Sequence, residues 1–457
     1  MAGPMLEAKT LKGFRDFLPD SMVPRQAMIR KIEAVFERHG FQPLMTPALE
    51  YLETLMGKYG EEGDKLLYRF EDHGGRQVAL RYDLTVPLAR VVAQHRAELQ
   101  LPFRRYHIAP VWRADKPQRG RFREFMQCDA DIAGANTAIA DAEVLMTGLG
   151  VLEALGVDGA VLHLNHRDVL FAVVQAAGVV EPQRQIACIR AIDKLDKLPP
   201  ERIADEMATE AGLAREAALE LIDFFVTARG IHAAEGTENE SDYLKRIVET
   251  RLQGEALERA LAAIARTETV RQLVEAQFPG KIHFDVSIAR GLDYYTGVIY
   301  ETRLTDARVA GIGAVMSGGR YDGLIGMFGK EQIPAVGISL GLDRLLAALQ
   351  ELGLVARSHA VPVYVTVFGP QDAAAALEVA QLLRRAGLQV EVDAVGGKLG
   401  KQLERASKRG ARLAILVGAD EQAARQAVIK DLADGQQHRV GLDALAATAR
   451  QLLDTAD

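Results

Sequence analysis

The stretch FRRYHIAPVWRADKPQRGRFREFMQCDADIAG (103–134) concentrates more usable chemistry than any other part of the chain. It reads as two strands joined by a loop that contains Pro117 and Gly120. Along the second strand, Arg121, Arg123, Phe125, Gln127, Asp129 and Asp131 share one face. Phe122, Met126, Cys128, Ala130 and Ile132 share the other, a set suited to a core and interrupted only by Glu124. Between 104 and 124, six Arg and one Lys stand against two carboxylates. Guanidinium forks bind phosphate oxygens in pairs, and an aromatic face such as that of Phe125 stacks on a base. The same alternation also fits a solvated sheet face crossed by ordinary ion pairs. Arg113 closes the first strand beside the loop.

Four further segments carry reactive side chains. QVALRYDLTVPLAR (77–90) places Arg81, Asp83 and Thr85 on one face if it stays extended. A carboxylate with a hydroxyl suits an ammonium group, although Asp and Thr also begin helices. ARGLDYYTG (289–297) sets Arg290 and Asp293 beside Tyr294 and Tyr295. A neutral imidazole offers one N–H and one bare nitrogen, which a phenol and a carboxylate can serve together. The alternative there is a core tyrosine pair with a structural Asp–Arg bridge. GISLGLDRLLAALQ (337–350) places Arg344 in the first turn of an apolar-periodic helix, where anions are attracted. GGKLGKQLERASKRGAR (396–412) gathers Lys398, Lys401, Arg405, Lys408, Arg409 and Arg412 on one helical stripe, either a nucleic-acid contact or a solubilising face.

The elements that position these residues follow from periodicity. MIRKIEAVFERHGF (28–41) puts Ile32, Val35 and Phe36 at helical spacing, and Gly40 stops it. Pro43 and Pro47 confine the next stretch to a sheet edge. Residues 195–275 are charged, Ala/Leu-rich helical text, read as an insertion between a first mixed segment (1–194) and a second (276–352). After a polar linker, residues 361–457 alternate strand and helix at short intervals, which predicts a small α/β domain with a largely parallel sheet. Its 12 basic and 12 acidic residues focus positive charge on the 396–412 stripe.

Composition bounds the function. The 457 residues are 48% hydrophobic and 26% charged, with a net charge of −7, which excludes a wholly basic nucleic-acid coat. Two cysteines exclude a disulfide scaffold, and their spacing does not suggest structural zinc or another protein-ligated metal. The apolar run 169–180 is interrupted by Gln175 and falls short of the roughly 20 residues that span a bilayer. No apolar leader with a cleavage site is visible at the N-terminus. The expectation is a soluble, cytoplasmic, multidomain protein without a membrane partner.

In order and spacing, these segments resemble the histidyl-tRNA synthetases of class II. Pro47 sits where the first class motif, part of a dimer interface, has proline; VWRAD and GRFREF resemble the second motif and GLDR the third. RYDLT, QCDAD and RGLDYYTG resemble segments particular to the histidine enzymes. The resemblance implies an α/β multidomain fold: an antiparallel catalytic sheet, a helical insertion and a C-terminal α/β anticodon-binding domain. It implies ATP binding by Arg113, Asp115, Arg121, Phe125, Arg290 and Arg344, with Arg290 and Arg113 catalytic. Histidine would be held by Asp83, Leu84, Thr85, Gln127, Asp131, Tyr294 and Tyr295, and tRNA(His) by Lys398, Lys401, Arg405 and Lys408. Mg²⁺ would bridge the ATP phosphates, and the chain would form a homodimer. Many bacterial members carry Glu where Asp83, Asp115 and Asp131 stand here, so the Asp set resembles the archaeal and eukaryotic pattern, also met in some bacteria.

The implied reaction joins histidine to ATP as histidyl-adenylate, then transfers the histidyl group to the terminal ribose of tRNA. A catalytically silent, histidine-binding regulatory paralogue of the ATP phosphoribosyltransferase type is the alternative. The retained arginines and the complete C-terminal segment argue against it. A nucleic-acid-binding module without chemistry would leave the paired tyrosines and the Asp face without purpose.

Overall fold

The structure, a computed structural model, describes residues 7–117, 120–195, 198–231, 240–289, 294–355 and 361–454. The chain divides into two compact units. One comprises the residues up to Asp16 and Arg25–Val355; the other comprises Phe17–Pro24 and the residues beyond Val355.

Among the described residues the first unit holds eleven strands. β1 (Gln42–Pro43), β2 (Leu49–Tyr51), β3 (Arg69–Glu71) and β4 (Gln77–Leu80) come first. β5 (Phe103–Trp112) and β6 (Glu124–Ala133) follow as a long hairpin, then β7 (Ala160–His166) and β8 (Ile282–Phe284). β9 (Val298–Leu304), β10 (Met316–Arg320) and β11 (Ala335–Gly341) complete the set. The large sheet runs β1-β5-β6-β11-β10-β9-β7-β8, antiparallel except where β1 meets β5 and β7 meets β8; β2-β4-β3 form a separate sheet.

The hairpin follows the alternation in its sequence. Cys128, Ala130 and Ile132 point into the main core with Ile32, Phe36 and Leu145, and Gln127, Asp129 and Asp131 occupy the opposite face. Glu124, which interrupts the apolar set, accepts the indole N–H of Trp112 at 2.6 Å. Arg121 and Arg123 precede the strand and lie in the loop, off the face the alternation assigned them.

Three local expectations differ from the structure. The first helix runs Pro19–Arg38, starting earlier than its apolar spacing suggests and continuing through Pro24. β4 stops at Leu80 and a helix begins at Thr85 (Thr85–Gln94), so Arg81, Asp83 and Thr85 do not share an extended face. Arg81 instead turns inward and donates to the carbonyls of Thr46 (2.8 Å) and Pro110 (3.0 Å). The helical region's apolar core already starts at Val169 and takes in Cys188, Phe225, Leu244 and Ile264, with Phe284 and Ile299 from the strands. The run 169–180 contributes to this core through the helix Arg167–Ala176.

In the second unit β12 (Val363–Val365), β13 (Val390–Val392), β14 (Leu413–Leu416), β15 (Gln426–Asp431) and β16 (Gln437–Gly441) form a sheet ordered β13-β12-β14-β15-β16. Only the pairings of β12 with β13 and β14 are parallel; β14-β15 and β15-β16 are antiparallel. The expected largely parallel sheet is therefore mixed, because a hairpin replaces a final helical crossover.

Candidate active site

The site rests on the face of β5, β6 and β11 opposite the core. Register sets Arg105 against Asp131, His107 against Asp129, Ala109 against Gln127 and Val111 against Phe125. On the other side of β6, Gly337 lies against Asp131 and Ser339 against Asp129. A Cβ on Gly337 would overlap the Asp131 carboxylate, so glycine there opens the space that Asp131 fills.

At one end are the residues expected to meet a nucleotide. The Arg113 guanidinium lies 4.2 Å from the ring centre of Tyr82 and 5.1 Å from that of Phe125, and its Nε donates to the Tyr82 carbonyl at 3.0 Å. Phe125 rests on Leu84, Ala109 and Val111. Asp115 and Arg121 form a bidentate pair at 2.9 and 3.0 Å, so each answers the other before any ligand arrives. Arg344 donates to the Ala314 carbonyl at 3.2 Å, and its side chain comes within 3.9 Å of where a Gly120 Cβ would stand, beside the hairpin loop. Its neighbour Asp343 is an anchor: it takes Arg25 at 2.7 Å, Arg15, and the Met126 N–H at 2.9 Å. Removing one partner of such a buried pair typically costs about 3–5 kcal/mol, and this triad fixes the strand that carries Gln127.

At the other end, acids and phenols converge. Asp83 is buried and accepts from the Tyr59 hydroxyl and the Val86 N–H, both at 3.1 Å. It thus caps the helix Thr85–Gln94, where Thr85 is half-buried in the first turn. Burial raises the Asp83 pKa, and the nearby Arg113 charge opposes the rise. The Leu84 side chain is buried beneath Phe125, and its carbonyl receives Arg105 at 3.0 Å. Asp131 accepts from the Tyr321 hydroxyl and lies 2.8 Å from Arg105; burial raises its pKa and Arg105 holds it back.

The Tyr294 and Tyr295 hydroxyls stand 3.4 Å apart, and burial raises both pKa values. Tyr295 lies within electrostatic reach of Asp83, Asp129 and Asp131. Gln127 donates to the Ser339 hydroxyl at 2.6 Å, leaving its own carbonyl oxygen without a partner.

Arg113, Phe125, Asp83, Gln127, Asp131, Tyr294 and Tyr295 therefore converge on one side of the sheet. Arg290 and Asp293 lie outside the described residues. Sequence reasoning missed Arg105, His107, Tyr59 and Tyr321. Arg105 and His107 have the inward parity of Ala109 and Val111 on β5, which was the available signal. Tyr321 directly follows β10, in SGGRYDGL, where the neighbouring glycines give it no chemical context.

In the second unit the basic stripe splits. Lys398 and Lys401 are exposed and form no ion pair among the described residues. Arg405 is tied to Asp393 at 2.6 and 3.0 Å and to the Gly396 carbonyl, and Arg412 to Asp431 at 2.7 Å. Lys408 pairs with the exposed Glu404 at 2.7 Å, a contact worth little in water.

A family model described as histidyl-tRNA synthetase matches residues 13–345, and one described as anticodon binding domain matches 362–452. A relative from Rhodopirellula baltica named histidine–tRNA ligase is 42% identical over 439 residues, covering 95% of this chain and 96% of its own. The crystal structure of a histidyl-tRNA synthetase from Nostoc sp. PCC 7120 superposes with a TM-score of 0.83 at 32% identity, covering 98% of this chain and all of that one. A Bacillus halodurans structure titled ATP phosphoribosyltransferase regulatory subunit/histidyl-tRNA synthetase shares the fold, with a TM-score of 0.69 at 22% identity over 89% of this chain and 97% of that one. The fold is that of a class II aminoacyl-tRNA synthetase. The chain belongs to the histidyl-tRNA synthetase family.

Proposed function

We propose that the cleft above β5, β6 and β11 activates histidine with ATP and passes the histidyl group to tRNA(His). As a member of its family the chain is a histidine–tRNA ligase that uses ATP as substrate. What supports placing the chemistry in this cleft is one observation: Arg113 is held over Phe125 within electrostatic reach of buried Asp83. A guanidinium, an aromatic face and an acid then meet where nucleotide and amino acid must react.

In this assignment Arg113, Arg290 and Arg344 hold phosphates, with Asp115 and Arg121 as a preformed fork beside them, and Phe125 stacks on adenine. Asp83, Thr85 and Gln127 receive the α-amino group at the pocket wall that Leu84 backs. Asp131 and Tyr295, with Tyr294 beside them, read the imidazole. The substrate carboxylate attacks the α-phosphorus, which gains negative charge, so fixed guanidinium groups in a dry site favour the transition state. No protein nucleophile is needed. Mg²⁺ bound with ATP would supply charge neutralisation at its phosphates.

We further assign residues 1–194 and 276–352 to a catalytic domain, 195–275 to its helical insertion and 361–457 to anticodon binding. A homodimer is supported by Leu49, Tyr51 and Phe70, exposed apolar side chains in register on one face of the β2-β4-β3 sheet. Sedimentation should give twice the chain mass, and a monomer would remove this assignment. Two buried free cysteines fit a reducing cytoplasm.

For tRNA, the free cations Lys398 and Lys401 carry more weight than Arg405, whose reversal would break its Asp393 ties. Lys398→Glu with Lys401→Glu should raise the KM for tRNA by about tenfold or more at low salt, the difference shrinking as salt rises. Histidine-dependent pyrophosphate exchange should be unchanged. Equal tRNA KM values at every salt concentration would remove these lysines from the interface.

A further inference from the structure

The floor of the cleft holds buried polar atoms that no protein group satisfies. They are Arg105 Nε and Nη1, both ring nitrogens of His107, Gln127 Oε1, Asp129 Oδ1 and Asp131 Oδ2. Buried polar atoms are seldom left unpaired in folded proteins, and a cluster of them calls for a ligand or water. Asp131, the acid assigned to the imidazole, is the more fully engaged of the two carboxyls: the Tyr321 hydroxyl donates to one oxygen, and the other lies in an ion pair 2.8 Å from Arg105. Asp129 has the Ser339 hydroxyl as its partner, and that hydroxyl in turn receives Gln127. Among the described residues Asp129 Oδ1 therefore has neither a hydrogen bond nor an ion pair, and Asp129 stands between Gln127 and Asp131 on the same strand face.

Charge balance points the same way. His107 is neutral, its pKa pushed down to about 3 by burial, Arg105 and Arg81. Arg105 already serves Asp131, and Arg81 is turned onto the Thr46 and Pro110 carbonyls, so an ionised Asp129 would be a second buried anion with no ion pair of its own among the described residues. Burial, with Asp131 and Asp83 adding to it, carries the Asp129 pKa well above the usual carboxylate range against the pull of Arg105 and Ser339.

We propose that Asp129 is a further specificity-determining residue of the histidine pocket: a neutral carboxyl whose O–H donates to the bare ring nitrogen, while Asp131 and Tyr295 serve the N–H of the other. Two acids in different protonation states then demand a ring with one donor and one acceptor. The inference rests on the histidine-activating function proposed above.

The groups facing Asp129 are Arg105 and His107 on β5, Gln127 and Asp131 on β6, Ser339 on β11, Asp83 before the helix Thr85–Gln94, Arg81 after β4, and Tyr295. His107 titrates far below neutrality and Tyr295 far above it, so the raised pKa of Asp129 brings its change of charge toward neutral and alkaline pH. In the wild-type protein the KM for histidine in pyrophosphate exchange should rise across that range as the donor is lost. Asp129→Asn keeps an N–H donor that cannot ionise. Its KM for histidine should stay within about threefold of wild type at pH 7 and lack the extra alkaline rise. Any rise from the substrate's own amine appears in both proteins, so their ratio isolates Asp129.

Asp129→Leu, which removes the donor, should raise the KM for histidine by about tenfold or more with the KM for ATP unmoved. An identical alkaline rise in wild type and Asp129→Asn would overturn the proposal, as would an unchanged histidine KM in Asp129→Leu. A wild-type protein with no histidine-dependent exchange would instead overturn the function on which it rests.

Discussion

Arg113→Ala lowers the kcat of histidine-dependent pyrophosphate exchange by about 10²–10³-fold, the cost of removing one preorganised donor from a developing oxyanion. The arginine is placed for this before substrate arrives. Its Nε is held by the Tyr82 carbonyl and its plane lies near the Tyr82 and Phe125 rings, so little reorganisation remains when the phosphorus becomes pentacoordinate. The fold should survive, because Arg113 is only half-buried and the hairpin is anchored elsewhere, through Asp343. The KM for histidine should move far less than kcat. A variant turning over within threefold of wild type would take Arg113 out of the chemistry. Arg290→Ala is expected to cost as much, on the resemblance of RGLDYYTG to the family's segment.

The second large effect comes from a residue with no side chain. Gly337→Ala places a methyl group where the Asp131 carboxylate now lies, and β11 cannot retreat because it is paired on both sides. Asp131 must swing away from Tyr321 and Arg105. A misplacement of about 1 Å can cost on the order of 10²-fold in a preorganised site. The KM for histidine should rise by roughly that factor, with the KM for ATP nearly constant. Titration of each substrate against the purified variant separates the two. Equal losses for both would mean that the sheet, rather than Asp131, had been disturbed.

How much of this was legible follows from which interactions are local. The β5-β6 hairpin could be read because strict alternation separates Cys128, Ala130 and Ile132 from Gln127, Asp129 and Asp131. Phe125 was placed by the same alternation, whereas Asp83, Tyr294 and Tyr295 were named from the resemblance of RYDLT and RGLDYYTG, and Asp83 stands at a helix start rather than on the extended face first expected. Arg105 and His107 could not, because RRYHIAP looks like a basic surface strand until β6 and the Asp83 turn close over it. Tyr321 was hidden by its glycines. Gly318 and Gly319 belong to β10, where side chains would collide with the Tyr300 and Tyr295 rings, so they mark close packing rather than a turn. Arg405 shows the reverse error. Its place on a basic stripe is correct by angle, but Asp393, twelve residues earlier, claims it. Long-range pairing decides such cases, and a helical wheel does not contain it.

The central claim is that this cleft selects one amino acid by the two nitrogens of its ring. Pyrophosphate exchange into ATP, measured for purified wild-type protein with each amino acid in turn, tests it most directly. Exchange should appear with histidine and stay at background with similarly sized side chains such as those of glutamine, asparagine and phenylalanine. Sites built on buried hydrogen bonds reject analogues by about 10⁴–10⁵ without editing. Exchange supported equally by another amino acid, or absent with histidine, would contradict the account.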